Sequence, residues 1–142
     1  MFLPDPLILV YAHRSDVLDH TRYANWLTSL VNAPEPFALS EMGLATFLRI
    51  VTHPRFFLDP TPEAKAMDFL DQLIAQPGCR LVRPGPGHWE IFRELCLSLH
   101  AKGSFVLDIF HAALALEHGC EWVTTEADYA RIKGLRFSHP WK

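Results

Sequence analysis

Cysteine is scarce and scattered. The chain has 3 cysteines in 142 residues, Cys79, Cys96 and Cys120, an odd number with no CxxC pair among them. This excludes a disulfide framework and a zinc site of ordinary spacing, and leaves buried reduced thiols as the simplest account. Long apolar runs are missing too. The longest, Pro6 to Ala12, is far too short to cross a bilayer. No basic residue precedes that run in Met1-Phe2-Leu3-Pro4-Asp5, so the start does not read as a secretory signal and a cytoplasmic protein is expected. Positive charge is also in short supply. With 13 Lys and Arg against 16 Asp and Glu, the net charge of −3 offers no broad landing surface for nucleic acid. An RNA substrate would have to be held by a local basic rim beside an acidic site.

What is present is globular: 49% of residues are hydrophobic and 20% charged, a balance that argues against disorder. No repeat, low-complexity tract or long linker divides the chain, so one domain over residues 1–142 is expected. Prolines fall in pairs, Pro34/Pro36, Pro60/Pro62 and Pro84/Pro86, between periodic segments.

The periodicity predicts a helix from about Asp16 to Val31, with Tyr23, Trp26, Leu27 and Leu30 on one face. Pro36 to Leu39 reads as a short buried strand. Ser40 is an N-cap for a helix from Glu41 to about Val51. Thr61 is expected to cap another helix with Pro62 at its first position. Cys79 to Val82 is a strand, and a helix near His88 to Ala101 turns Ile91, Phe92, Leu95 and Leu99 inward. Ile109, Ala112, Ala113 and Leu116 mark a helix that Gly119 stops. Glu121 to Thr124 is a strand, a short helix starts near Glu126, and Leu135 to Phe137 is a last strand. By its apolar run alone, Leu7 to Ala12 reads as a strand. Short apolar strands alternating with helices imply an α/β fold with a parallel sheet covered on both faces. In such sheets ligands collect beyond the carboxyl ends of the strands.

Acidic residues stand where that rule points. Asp5 follows Phe2-Leu3-Pro4, Glu41 follows Phe37-Ala38-Leu39-Ser40, and Glu126 and Asp128 follow Trp122-Val123-Thr124-Thr125. Asp108 interrupts an otherwise apolar helix, where an ionised carboxylate is costly unless paired or bound to metal. Taken singly, each has an ordinary reading. Asp5 suits a helix cap, Glu41 and Asp108 suit first helical turns, and Glu126 with Asp128 suits a solvated cap. As a set they repel one another and call for a divalent cation. All-oxygen ligands suit Mg²⁺ or Mn²⁺, and such a site is fitted to phosphodiester hydrolysis.

Leu3-Pro4-Asp5, Val10-Tyr11-Ala12, Ser40-Glu41, Phe47-Leu48-Arg49, Thr52-His53-Pro54-Arg55, Asp108 with Ala112-Ala113-Leu114-Ala115, and Thr124-Thr125-Glu126-Ala127-Asp128-Tyr129 together resemble the VapC branch of PIN-domain proteins. The resemblance runs in order through nearly the whole chain. It implies a three-layer α/β/α sandwich with a central parallel sheet. It also implies Mg²⁺ or Mn²⁺ held by Asp5, Glu41, Asp108 and Glu126 with Asp128 close by, and endoribonuclease activity through the first four. A homodimer and a cognate antitoxin are implied as partners. It further places the first strand before Asp5 and a helical turn from near Pro6, against the strand reading of Leu7 to Ala12. Two positions depart from the family pattern: Leu7 stands where Asn, Ser or Thr is usual, and the fourth acid, Glu126, is usually Asp. Leu7 motivates an alternative, a PIN-fold RNA- or protein-binding module with weak or no catalysis.

Other residues read differently. None of the 8 histidines has tight ligand spacing, and His111 and His118 read as packing or surface residues. The tryptophans read mostly as core. Arg14, Arg49 and Arg55 are candidates for phosphate contact, with Arg49 equally placed to orient Glu41 or lie on a helix surface.

Overall fold

A computed structural model describes all of residues 1–142. Its centre is a five-stranded sheet in the order β3-β2-β1-β4-β5, with every pairing parallel. The strands are β1 (Phe2–Pro4), β2 (Phe37–Ser40), β3 (Cys79–Val82), β4 (Glu121–Val123) and β5 (Phe137–Ser138). Helices α1 (Pro6–His13), α2 (His20–Asn32), α3 (Glu41–Val51), α4 (Glu63–Ile74), α5 (His88–Ser98) and α6 (Phe105–His118) join them, with a 3-10 turn over Ala127–Arg131.

Two apolar clusters lie on opposite faces of the sheet. One joins Ile8, Leu9 and Val10 of α1 with residues of α2, α3 and α4, and takes in Phe37 and Leu39. The other joins Ile109, Ala112 and Ala115 of α6 with Leu3, Ala38 and Trp122, and α5 packs against it through Phe92 and Leu95. Phe37 and Leu39 facing one way and Ala38 the other is the period-two alternation of a strand buried on both sides. The three-layer α/β/α architecture expected from the sequence is the one observed.

Three local expectations change. Leu7 to Ala12 is helical, because Asp5 accepts from the Leu7 N–H at 2.9 Å as an N-cap and Pro6 occupies the first position. The helix expected from Asp16 begins at His20, since the Asp16 carboxylate is held by the Arg14 guanidinium in the preceding turn. Thr61 does not cap α4. Pro62 takes the cap position, and the Thr61 hydroxyl instead meets the His13 ring and the Arg14 guanidinium, each at 3.1 Å. Ser40 caps α3 as expected, accepting from the Gly43 N–H at 3.0 Å, and Gly119 ends α6 in the left-handed conformation at φ 64°.

From β1 the chain builds outward through β2 and β3, then returns to β1's other side for β4 and β5. The reversal lies between β1 and β4, so the crevice beyond their carboxyl ends is the place where this class of sheet binds ligands.

Candidate active site

Asp5 leaves the end of β1 directly into that crevice. It is 6% exposed. One carboxylate oxygen accepts from the Leu7 N–H, and the other accepts from the Thr124 hydroxyl at 2.7 Å. Thr124, just past β4, also accepts from the Glu126 N–H at 3.1 Å, so one hydroxyl ties the loop after β4 to the carboxylate after β1. Asp108 enters from the first turn of α6 and accepts a long hydrogen bond from the buried Tyr129 hydroxyl at 3.4 Å.

Asp5, Asp108 and Glu126 line one pocket of about 320 Å³, together with Leu7, Arg49, His111 and Tyr129. Their charges act on one another. Burial pushes the Asp5 carboxyl up to about 6. The hydrogen bonds from Leu7 and Thr124 pull it down, and Glu126 and Asp108 push it further up. Asp108 is raised as well, by burial and by the charges of Glu126 and Asp128, against the Tyr129 hydrogen bond. Asp128 therefore sits within the field of the cluster, although it does not line the pocket.

Glu41 stands elsewhere. It begins α3 at the carboxyl end of β2, on the expected edge of the sheet, but its exposed carboxylate is turned outward to the Arg83 guanidinium beyond β3. That pairing holds the Glu41 carboxyl below the usual carboxylate range. Of the arginines singled out in the sequence, Arg49 alone lines the pocket. Arg14 has its guanidinium engaged at Asp16, the Asp59 carbonyl (2.7 Å) and Thr61, over the Phe57 ring at 4.1 Å. It belongs to a separate polar hollow between α1 and the connection into α4. Arg55 is exposed and lies outside the pocket.

Sequence reasoning passed over Thr124 and Tyr129 as site residues. His111, expected as a packing or surface residue, is buried against Trp122, with ring centroids 5.3 Å apart and an interplanar angle of 17°. It also lines the pocket. The signal available was its place on α6, one turn after Asp108 and on the same face.

The donor set is oxygen-rich and, apart from Arg49, short of positive charge. No three acidic, imidazole or thiol groups close into a compact cage. Unneutralised carboxylates repel, and Mg²⁺ takes one or two of them directly and keeps several waters, so a loose set of this kind fits such an ion.

The PIN domain family matches residues 3–135 of the chain. A relative, VapC ribonuclease Mb2897 of Mycobacterium bovis, is 39% identical over 140 residues, covering 99% of this chain and 95% of its own. Among solved structures, VapBC2 from Rickettsia felis bound to a DNA fragment from its promoter matches with a TM-score of 0.73 at 19% identity, over 97% of each chain. A toxin–antitoxin complex from Klebsiella pneumoniae matches with a TM-score of 0.63 at 17% identity, over 100% of this chain and 99% of the other. The β-sheet order, the acidic crevice beside β1 and these likenesses agree: the chain belongs to the PIN-domain family, in its VapC ribonuclease branch.

Proposed function

We propose that this chain is a single-domain endoribonuclease that depends on Mg²⁺ or Mn²⁺, acting in the cytoplasm as the toxin of a type II toxin–antitoxin pair. The observation that carries the reading is the meeting of Asp5, Asp108 and Glu126, from three separate elements, in one pocket at the switch point of the sheet. A divalent ion there supplies an activated water and neutralises charge on the phosphate undergoing attack.

The chain's own residues divide the remaining work. Asp5 is the fixed ligand, because two hydrogen bonds and burial leave its carboxylate one orientation. Asp108 is the second, steadied by Tyr129. Glu126 is exposed and one methylene longer than Asp, so it can reach the ion directly or take a proton from a water at the pocket mouth. Asp128 adds negative charge from just outside. Glu41, paired with Arg83 and outside the pocket lining, would have to leave that ion pair to join the set. Arg49 offers the exposed, forked cation that suits a phosphate. Arg55, exposed in the segment after α3, is a further candidate for phosphate contact. A cognate antitoxin and a second copy of the chain complete the proposed assembly.

The test is cleavage of a mixed RNA pool by purified protein in Mg²⁺, Mn²⁺ or chelator. Parent protein should cut only with metal. Asp108→Asn should fold normally and lose at least about 100-fold in rate, on the scale of losing a group that positions charge in the transition state. Undiminished cleavage by Asp108→Asn would remove the assignment.

A further inference from the structure

His111 is 6% exposed, lines the acidic pocket, and has an unsatisfied nitrogen. Its Nδ1 is sealed from solvent with no hydrogen-bond partner. This leaves Nε2 as the ring nitrogen on the open, pocket side. The ring cannot swing to change that. One face is stacked on Trp122, itself 1% exposed, and the Phe110 ring stands edge-on to it at a centroid distance of 6.2 Å.

A neutral imidazole carries one proton and must place it on one of two nitrogens. On Nδ1 the proton would be a sealed N–H without an acceptor, a costly arrangement that folded proteins avoid. On Nε2 it faces the pocket, and the sealed atom is only a lone pair. The surroundings say what such a donor is for. Asp5, Asp108 and Glu126 accept when ionised, Tyr129 already donates to Asp108, and the Thr46 hydroxyl is turned back to the Met42 carbonyl at 2.9 Å. Apart from the exposed Arg49 and the exposed, rotatable Ser104 hydroxyl, the pocket thus has one rigid donor free for a ligand. Being neutral, it does not quench the carboxylates as a lysine in its place would. A phosphate oxygen, anionic and held beside those carboxylates, is the acceptor such an N–H fits best.

We propose that His111 is a substrate-contacting residue that donates its Nε2–H to a phosphate oxygen of the RNA strand in the pocket. This rests on the nuclease reading above. The test uses the full-length protein and two variants. His111→Phe keeps a ring against Trp122 and removes the N–H, and His111→Gln returns an amide N–H at about the reach of Nε2. Each is measured for melting temperature, for kcat and KM on an RNA oligonucleotide in Mn²⁺, and for binding in Ca²⁺ of an oligonucleotide made non-cleavable by a methylene in place of the leaving oxygen. Histidine ¹⁵N spectra of the parent report which nitrogen is protonated.

His111→Phe is expected to melt at or above the parent temperature, bind the non-cleavable strand more weakly and lose ~10- to 100-fold in kcat/KM, with His111→Gln recovering much of both. A proton on Nδ1, or unchanged binding and cleavage in His111→Phe while the parent cuts RNA, overturns the proposal and leaves the nuclease reading standing. Equal loss of cleavage in both variants with unchanged binding assigns the effect to packing and also overturns it. A parent protein inactive with every metal removes both readings together.

Discussion

The hydroxyl of Thr124 donates to the buried carboxylate of Asp5 at 2.7 Å and at the same time accepts from the Glu126 backbone. One short side chain thereby fixes the orientation of the first acid and the path of the loop that brings in the third. Thr124→Val has nearly the same shape and removes both functions. It should cost about 1–3 kcal/mol in urea unfolding at pH 7, the range for stranding a buried polar group, and lower metal-dependent cleavage as well. Thr124→Ser should fall within about 0.5 kcal/mol of the parent, because it keeps the hydroxyl. A Val variant as stable and active as the parent contradicts this account.

The raised Asp5 carboxyl gives the metal-free protein an unusual response to pH. Its folded value, about 6, lies above the ordinary 3.8, so the native state holds the proton more tightly than the unfolded chain does. The sign follows: this group's stabilising contribution is complete below about pH 4 and is lost as pH rises through 6, by up to about 3 kcal/mol. Asp5→Asn keeps an oxygen for the Leu7 N–H and removes the titration. Chelator-treated parent and variant should therefore diverge between pH 4 and 7, with Asp5→Asn the more stable at pH 7. Mn²⁺ at pH 7 should raise the parent's melting temperature and leave the variant's nearly unchanged. Parallel stability curves across that range would contradict the burial and repulsion argued here.

Metal titrations rank the remaining acids. Glu126 lines the pocket and Asp128 does not, so Glu126→Gln should weaken apparent Mn²⁺ affinity more than Asp128→Asn. Glu41→Gln should do less harm than Asp108→Asn, since Glu41 begins from an ion pair with Arg83. Leu7 contributes its backbone N–H to Asp5 and only an apolar side chain to the pocket. Leu7→Asn adds a polar group at the rim and should raise metal affinity, more for Mg²⁺ than for Mn²⁺. The informative outcome is the order of the four acid variants, and Asp128→Asn as the most damaging would invert it.

Arg14 lines the polar hollow beside α1 and not the acidic pocket, which favours a role in the fold. Its guanidinium joins Asp16, the Asp59 carbonyl and Thr61 while lying over Phe57. Arg14→Ala should destabilise the protein by about 1–3 kcal/mol and leave the KM for RNA unchanged at temperatures where the variant is folded. Arg14→Lys should recover little, because an ammonium cannot occupy a fork. A large rise in KM without loss of stability would return Arg14 to the substrate surface.

Much of the fold was legible because short apolar strands and capped helices carry strong local signals. Ser40 before Glu41 and Gly119 after His118 mark helix ends by their own chemistry. The apolar run from Leu7 was ambiguous for a physical reason. Ile8, Leu9, Val10 and Ala12 are all buried, so α1 has no polar face from which a helical period could be read. Asp5-Pro6 held the answer as cap and first turn. Thr61 misled because its hydroxyl serves the distant His13 and Arg14, partners that no local pattern reveals. In the site, the backbone places of Asp5, Glu41, Asp108 and Glu126 at the sheet edge were readable. The direction of the Glu41 side chain was not, since it depends on Arg83 one strand further out. Nor could sequence show that His111 has one nitrogen sealed and the other facing the acids.

The position of β1 at the middle of the sheet also has a consequence in time. Its pairing with β4, Phe2 to Glu121 and Pro4 to Val123, joins segments that are synthesised far apart in time. Domains fold as units while the chain emerges, and contacts this distant in sequence form late. Asp5 leaves the ribosome before its neighbours Thr124 and Glu126 have been made. A nascent or prematurely ended chain therefore carries no assembled pocket. Strand order thus keeps an enzyme that attacks RNA without an assembled site until β4 and the loop after it have been made.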